Sequence, residues 1–405
     1  MTQTRHGTTA HEIQMPCGDD ADTQQQHDLD MVSQGPHESE AHDNTERFLW
    51  RCGHGTLTAP QLLALKAAGE LLTPAEWEQV ALLAHPHRMG SLVFKHASQA
   101  ELLTVMLEAV RDSLKVAYCS AIVVNRTLQI ELATILAAFA ARQIEAVPLK
   151  GVMLAARYYP ELALRPSSDI DLLLMPDQVT ASAQALATLG YRPHAGSESQ
   201  TGKHALRFLE LQFTKPQGPT IELHTTLTRA PSYRKSLPLP AVWSRTHLHQ
   251  VGDRMVRCLA VRDELHYLCL HYAVHRRDPR WFWLVDIVQL VDALPATWSW
   301  SEFVCETLAC GLATPVATAL QDTTDRFGSG VPPYVLDALW TESTSAKERA
   351  AWKQAHASFS SPGRVSGHLL MLHGARAKLE FAREIVRVGS LSMLRRVRRV
   401  RRARR

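Results

Sequence analysis

Two aspartates, Asp169 and Asp171, lie one residue apart in the apolar segment 168–174, which reads SDIDLLL. Side chains along a β-strand alternate between its faces, so both aspartates are expected on one face and Ile170 on the other. Neighbouring carboxylates repel each other, and burial strengthens that repulsion. A divalent cation between them removes it. The pair predicts a metal site, although an isolated Asp-x-Asp pattern is more often a surface turn or a salt-bridged pair.

The segment before this pair has the pattern of a phosphate-binding turn. Residues 146–149 form a short apolar run typical of a strand, Lys150 and Gly151 follow as a tight turn, and residues 152–159 are typical of a helix. Backbone N–H groups at the start of a helix attract anions, and the lysine adds a positive charge. We therefore expect phosphate to bind beside Lys150 and Gly151.

A third carboxylate, Glu222, lies in the alternating segment 220–224, which reads TIELH. The alternation predicts a half-buried strand with Glu222 and His224 on its polar face. The turn-rich segment 215–219 predicts a hairpin with a strand over residues 205–213. If the Glu222 strand pairs beside that of the aspartates, the three carboxylates can hold two Mg²⁺ ions about 3.5–4 Å apart, as in phosphoryl transfer.

Together these motifs resemble the large, poorly characterised nucleotidyltransferase family of the DNA polymerase beta-like superfamily. The pattern is LKG at 149–151, YP at 159–160, Arg165, SDIDLLL at 168–174 and IELH at 221–224. The resemblance continues into the helical segment 266–291, where His271, His275 and Asp286 match the family's pattern. It covers about residues 48–295. The chain carries Lys150-Gly151 where many superfamily members carry Gly-Ser.

The resemblance implies a fold and a set of site residues. The fold is α+β, with a small mixed-sheet nucleotidyltransferase core embedded between N- and C-terminal helical regions. Mg²⁺ (or Mn²⁺) is expected to bind the catalytic residues Asp169, Asp171 and Glu222. The triphosphate of an NTP is expected at Lys150, Gly151, Arg165 and Ser168. The candidate substrate contacts are His224, His271 and His275.

The implied activity is metal-dependent transfer of a nucleoside monophosphate from an NTP to a hydroxyl or phosphate acceptor, with release of pyrophosphate. The acceptor stays open among a protein or peptide, a sugar, a small molecule and a nucleic-acid end. The alternative is a binding or regulatory module, antitoxin-like or a scaffold, that keeps the fold without turnover. His271 and His275 share one helix face, where packing against the core competes with substrate contact, and two histidines alone are a weak zinc signal.

The composition of the 405-residue chain, 45% hydrophobic and 21% charged, is typical of a soluble globular protein. We expect no transmembrane segment, because no apolar run approaches the roughly 18–20 residues that span a bilayer. The N-terminus is polar, and the seven cysteines are scattered without metal-ligand spacing. These features predict reduced thiols and a cytoplasmic protein.

Shifts in composition predict five segments along the chain. They are a disordered polar leader (1–45), a helical lobe (46–145), the nucleotidyltransferase core (146–228), a helical C-terminal region (229–390) and an Arg-rich tail (391–405). The tail carries eight arginines and no acid. It is interpreted as a solvated tail, as a contact with nucleic-acid phosphates or as a contact with an anionic membrane surface.

Two patterns predict helices inside the helical lobe. Thr73, Pro74 and Glu76 are typical of a helix start with a capping box. Apolar residues at 102–109 and 128–139, including Val105 and Ile130, recur at helical spacing and predict buried stripes between packed helices.

Overall fold

The computed structural model describes residues 44–194, 210–230, 232–251, 254–275 and 280–343, together with residues 352, 378, 379, 382 and 383. The chain divides into two units, Met1–His42 and Asp43–Arg405, and all described residues belong to the second. The predicted polar leader, apart from residues 44 and 45, and the predicted Arg-rich tail lie outside the described residues.

From residue 44 onwards, where the described chain begins, five helices precede the first described strand: α1 (Asn44–Arg51), α2 (Ala59–Glu70), α3 (Pro74–Ala84), α4 (Gly90–Gln99) and α5 (Glu108–Ala140). The predicted start of α3 is confirmed. The Glu76 N–H donates to Thr73 Oγ1 at 3.3 Å, and the Thr73 N–H donates to the Glu76 carboxylate at 2.8 Å. Pro74 occupies the first helical position, where the missing N–H costs no hydrogen bond. Local sequence therefore fixes where this helix begins.

The apolar stripe predicted at residues 102–109 does not belong to one helix. Leu102–Thr104 forms a short 3-10 turn, and α5 begins only at Glu108. Glu101, with a φ of 59°, redirects the chain just before that turn. Val105, predicted in the core, is instead 48% exposed. Leu102 and Met106 of the same stripe are buried, so the prediction of core residues here is only partly confirmed.

One stripe of α5 is buried along the length of the helix: Val110, Leu114, Ala121, Asn125, Leu128, Leu132, Ile135 and Phe139. These residues recur three, four or seven positions apart, which keeps them on one face. Ile130 was predicted inside this stripe but is 62% exposed. It lies two residues, or about half a turn, from both Leu128 and Leu132, which turns it to the opposite face of the helix.

By length and composition alone, α5 could cross a membrane. Only 28% of its most apolar stretch is buried within the protein. The expectation that no apolar run approaches the length of a membrane span is therefore wrong for α5. A single helix of this kind is weak evidence for a span, because the core helix of a soluble protein can meet the same criteria.

A mixed five-stranded sheet lies between the two helical regions, in the order β1-β2-β5-β4-β3: β1 (Val147–Leu149), β2 (Asp169–Leu173), β3 (Arg192–Pro193), β4 (Glu210–Thr214) and β5 (Thr220–His224). β2 and β5 run parallel, whereas the other neighbouring strands run antiparallel. The predicted α+β fold with a mixed-sheet core is confirmed. β4 and β5 form the predicted hairpin, although residues 205–209 of the predicted strand lie outside the described residues.

The neighbouring strands β2 and β5 share one apolar face. It packs against α5 and against α7 (Val179–Thr188), which follows β2, while α6 (Gly151–Tyr158) connects β1 to β2. The residues of this face are at most 2% exposed: Ile170, Leu172, Ile221 and Leu223. Because side chains alternate along a strand, the opposite face receives the polar residues of β2 and β5.

Six helices and a hairpin complete the described chain: α8 (Leu239–Arg245), β6 (His247–Val251), β7 (Arg254–Cys258), α9 (Val261–His275), α10 (Trp281–Asp292), α11 (Trp300–Ala309), α12 (Ala313–Phe327) and α13 (Pro333–Ser343). The interpretation of residues 229–300 as a loop followed by helices is wrong at β6 and β7, which pair antiparallel. The missed signal is Gly252-Asp253 between two short alternating segments, which is typical of a two-residue hairpin loop.

His266 is a buried titratable group within α9. Its ring stacks on Phe303 with the centroids 4.6 Å apart, and its Nε2 lies 2.8 Å from Thr307 Oγ1. Burial, assisted by the charges of Arg245 and Arg262, lowers the pKa of His266 from 6.5 to about 4. The unfolded chain therefore binds a proton at a higher pH than the folded protein, so stability falls as the pH decreases from 6.5 towards 4.

Through His266 alone, the free energy of unfolding is expected to fall by about 2 kcal/mol between pH 8 and pH 5. His266→Gln removes the titrating group, so this variant should lose that part of the acid sensitivity in urea unfolding at both pH values. His85→Gln, a change at an exposed position, should keep the full sensitivity. Equal pH dependence in His266→Gln and the unmodified protein would contradict the assignment.

Candidate active site

The side chains of Asp169 and Asp171 lie on the face of β2 opposite its apolar residues, as their spacing predicts. The parallel register places Asp171 beside Glu222 of β5 and Asp169 beside Thr220. All three acidic residues line one cavity of about 570 Å³, which is also lined by residues of both helical regions. The structure thus brings the predicted triad together at one cavity.

The environment of each aspartate shifts its protonation differently. Burial raises the pKa of Asp169, and the negative charges of Asp171 and Glu222 raise it further. Burial also acts to raise the pKa of Asp171, but the neighbouring Lys150 and His224 outweigh it and lower that pKa. Repulsion among the acids is therefore only partly relieved by these two side chains, and the site can accommodate further positive charge.

His224, predicted as a substrate contact, lies within the acidic cluster and directly contacts its carboxylates. Its Nε2 is 2.8 Å from Asp171 Oδ1 and 3.6 Å from Glu222 Oε2. Burial alone would lower the pKa of His224, but its hydrogen bonds to these two acids raise it to about 9. In this state the ring is an imidazolium that holds the two carboxylates in place.

The donor atoms of this cluster fit a divalent cation. One ligand atom each from Asp171, Glu222 and His224 lies within 4.8 Å of the others, and Asp169 adds a carboxylate on the same strand face. Carboxylate oxygens are the ligands that Mg²⁺ and Mn²⁺ prefer. His224 can serve as a metal ligand only after it loses its proton, so the three carboxylates are the matching set for Mg²⁺.

The turn between β1 and α6 has an unusual backbone. Lys150 has a φ of 44° and Gly151 a φ of 47°, and such values are rare for residues other than glycine. The Lys150 ammonium lies 3.4 Å from Asp171 Oδ2. Although burial acts to lower it, the pKa of Lys150 is raised because Asp171 lies beside the ammonium. The predicted phosphate turn and metal site are therefore directly adjacent.

Arg165 lines the cavity, but an acid behind it anchors its guanidinium. Nε and Nη2 donate to the two carboxylate oxygens of Asp286 at 3.0 and 2.9 Å, and Nη1 donates to Ser167 Oγ at 3.1 Å. Tyr159 also donates to Asp286 Oδ1, at 2.7 Å. Asp286 therefore orients Arg165. The contact of Arg165 with phosphate stays a prediction.

Ser168 contacts Arg88, a cavity residue that the sequence analysis missed. Its Oγ lies 3.4 Å from both Nη1 and Nη2 of Arg88 and donates to Asp169 Oδ1 at 3.4 Å. Arg88 lies in the loop between α3 and α4, 80 positions earlier in the sequence. Arg280 lines the same cavity. No local pattern marks either arginine, because their place at the cavity depends on tertiary packing.

His271 and His275 both line the cavity beside Trp283. The His271 ring centroid is 4.7 Å from that of His275 and 5.0 Å from that of Trp283. Burial and, as the next largest cause, the charge of Lys150 lower the pKa of His271 well below its usual value, so the ring is neutral near pH 7. Neither belongs to the metal-competent cluster found among the described residues, and their contact with substrate stays a prediction.

No curated protein matches the chain. Its structure is similar to the crystal structure of an antigenic nucleotidyltransferase-like protein from Paracoccidioides brasiliensis, with 14% sequence identity and a TM-score of 0.34 over 54% of this chain and 95% of that chain. The family described as "Uncharacterised nucleotidyltransferase" matches residues 73–328. This match spans the sheet and the acidic cavity, and by it the chain belongs to the uncharacterised nucleotidyltransferase family.

Proposed function

We propose that this protein transfers a nucleoside monophosphate from an NTP to a hydroxyl or phosphate acceptor, with divalent metal at the acidic cluster and release of pyrophosphate. The observation that carries the proposal is the register of β2 and β5, which places Asp171 beside Glu222 with Asp169 on the same face. These acids line a cavity of about 570 Å³, within the size range of small-molecule binding sites.

Asp169, Asp171 and Glu222 would hold Mg²⁺ or Mn²⁺. Bound there, such ions neutralise phosphate charge and lower the pKa of an acceptor hydroxyl. The fit is supported by three carboxylates on one strand face, where repulsion and burial raise the pKa of Asp169. The imidazolium of His224 and the ammonium of Lys150 offset part of the negative charge of the three carboxylates.

The chain's own residues would position the substrates. The NTP phosphates would lie at the turn of Lys150 and Gly151, where the N-terminus of α6 favours anions. The acceptor oxygen attacks the α-phosphorus, Glu222 or a neighbouring aspartate accepts its proton, and the bond to the β-phosphate breaks as pyrophosphate leaves. The contribution of the protein is positioning and electrostatic stabilisation rather than covalent chemistry.

The first test is binding. At least one of the four NTPs with Mg²⁺ or Mn²⁺ is expected to raise the melting temperature, and about 2.7 kcal/mol of stabilisation is reached at a ligand concentration of 100 Kd. Asp169→Ala should abolish the shift, because it removes a carboxylate from the cavity. Asp177→Ala, at an exposed position soon after β2, should preserve it and serves as the matched control.

The second test is turnover, and it separates the enzyme from the silent binding module. The protein is incubated with α-phosphate-labelled NTP and metal, and pyrophosphate release and labelling of candidate protein, sugar and small-molecule acceptors are measured. An NTP-dependent melting shift without turnover on any of these acceptors would favour the antitoxin-like or scaffold alternative. The absence of a shift with every NTP and metal would contradict the proposed function.

A further inference from the structure

Arg88 is held in a conformation that arginine seldom adopts. Its φ of 54° lies in the left-handed region, where a residue with a Cβ carries a strain of about 1 kcal/mol or more. Its side chain is half-buried and lines the cavity beside Ser168. The strained residue of this loop is thus also the residue that reaches the acidic site.

The loop that carries Arg88 is fixed by contacts on both sides. The preceding residue, His87, stacks on Trp281 of α10 with the ring centroids 3.9 Å apart and the planes 4° from parallel. The Trp281 N–H lies 3.4 Å from His87 Nδ1, and the Met89 N–H donates to the Ala84 carbonyl at 2.9 Å. The direction of Arg88 is therefore set by packing between the two helical regions.

Arginine side chains surround Phe282 at this end of the cavity. The guanidinium carbons of Arg88 and Arg165 each lie 5.3 Å from the centre of the Phe282 ring. Arg280, two residues before Phe282, lies over Trp283 at 5.9 Å. Burial lowers the pKa of Arg88, and the positive charges of Arg280 and Arg165 lower it further. Like charges are therefore concentrated at one wall of the cavity, the arginine wall, which is formed by Arg88, Arg165 and Arg280.

Among the residues that the structure describes, one of these arginines has a carboxylate partner. Asp286 pairs with Arg165, whereas the ion pairs of the described residues include neither Arg88 nor Arg280. Unpaired cations that crowd together and face a cavity provide a site for a polyvalent anion. The wall joins the phosphate turn, because a Cβ placed on Gly151 would lie 3.9 Å from Arg165 Nη1 and 3.5 Å from the Asp169 carbonyl.

We infer that Arg88 and Arg280 form a clamp for the β- and γ-phosphates of the bound NTP, one arm from each helical region. The inference rests on the proposed function and deepens it. Two guanidinium groups offer several N–H donors to terminal phosphate oxygens, in the same cavity as the acids that would hold the metal. The clamp favours a polyphosphate over a monophosphate because the polyphosphate carries more negative charge and offers more oxygens to the two guanidinium groups.

Inorganic tripolyphosphate with Mg²⁺ is the probe, because it is independent of base preference. Calorimetric titration is expected to give tighter binding of tripolyphosphate than of orthophosphate by the unmodified protein. Arg88→Gly and Arg280→Gln should each weaken tripolyphosphate binding at least about tenfold and reduce its salt dependence. Arg111→Gln, which changes a half-buried arginine of α5 that is paired with Glu108 and does not line the cavity, is the control and should bind like the unmodified protein.

Arg88→Gly also tests whether the residue serves folding instead. Glycine tolerates a φ of 54° without strain, so its melting temperature should match or exceed that of the unmodified protein while tripolyphosphate binding weakens. Unchanged tripolyphosphate affinity in both variants would overturn the clamp and leave the proposed function intact. If the unmodified protein bound neither tripolyphosphate nor any NTP with Mg²⁺, the proposed function itself would fail, and the clamp with it.

Discussion

An Asp171→Asn variant is expected to transfer nucleotide on the order of 10³-fold more slowly than the unmodified protein. Asparagine keeps the size of aspartate but removes a negative charge from the cavity, directly beside Glu222. It also removes the charge that Lys150 and His224 face at 3.4 and 2.8 Å. A loss of this size corresponds to about 4 kcal/mol of transition-state stabilisation. The measurement is label incorporation from an α-phosphate-labelled NTP, or pyrophosphate release.

The control is the same substitution at Asp177, an exposed position that follows β2 closely in the sequence. Asp177→Asn should transfer nucleotide at the unmodified rate, so any loss specific to Asp171→Asn reflects its place at the cavity. Circular dichroism and the melting temperature establish whether Asp171→Asn remains folded. A folded Asp171→Asn variant with unmodified activity would rule out the proposed chemistry at this strand face.

The acidic face could be predicted because it depends on local rules. Alternation along a strand places Asp169 and Asp171 together whatever the rest of the chain does. The pairing of β5 with β2 was less certain, because strand order depends on contacts distant in sequence. The resemblance to nucleotidyltransferases supplied that step, and the register of Asp171 with Glu222 agrees with it.

Features created by tertiary packing were beyond the reach of sequence patterns. Arg88 lies 80 positions from Ser168 and in a backbone conformation typical of glycine, so no spacing rule points to it. The protonation of His224 depends largely on Asp171, which only the pairing of β2 with β5 brings close. His224 could be placed on the polar face of its strand from alternation, but its charge could not be predicted.

The helix errors have a similar origin. The apolar spacing at residues 102–109 is helical by count, yet Leu102–Thr104 forms only a short 3-10 turn and α5 begins at Glu108. On α5, the buried stripe is decided by which partner elements pack against the helix, and Ile130 lies outside it. Periodicity predicts that a face exists, whereas tertiary contacts determine which residues belong to it.

An Asp286→Asn variant is expected to lower the free energy of unfolding by about 3–5 kcal/mol. Asp286 is 2% exposed and accepts hydrogen bonds from Arg165 Nε and Nη2 and from the Tyr159 hydroxyl. Asparagine preserves the shape but leaves the Arg165 guanidinium, itself 4% exposed, as a buried charge without a counter-ion. Because Arg165 lines the cavity, the loss of its counter-ion should weaken NTP binding as well. Urea unfolding gives the change in free energy.

Two comparisons separate the buried charge from a general effect of substitution in α10. Asp292→Asn changes an acid of the same helix that is 41% exposed and paired with His54, so its cost should stay below about 1 kcal/mol. Adding Arg165→Met to Asp286→Asn removes the unpaired charge. The double variant should therefore be more stable than the sum of the single changes predicts. A loss in Asp286→Asn no larger than that of Asp292→Asn would mean that water reaches the guanidinium, and Arg165 would then be free to bind phosphate directly.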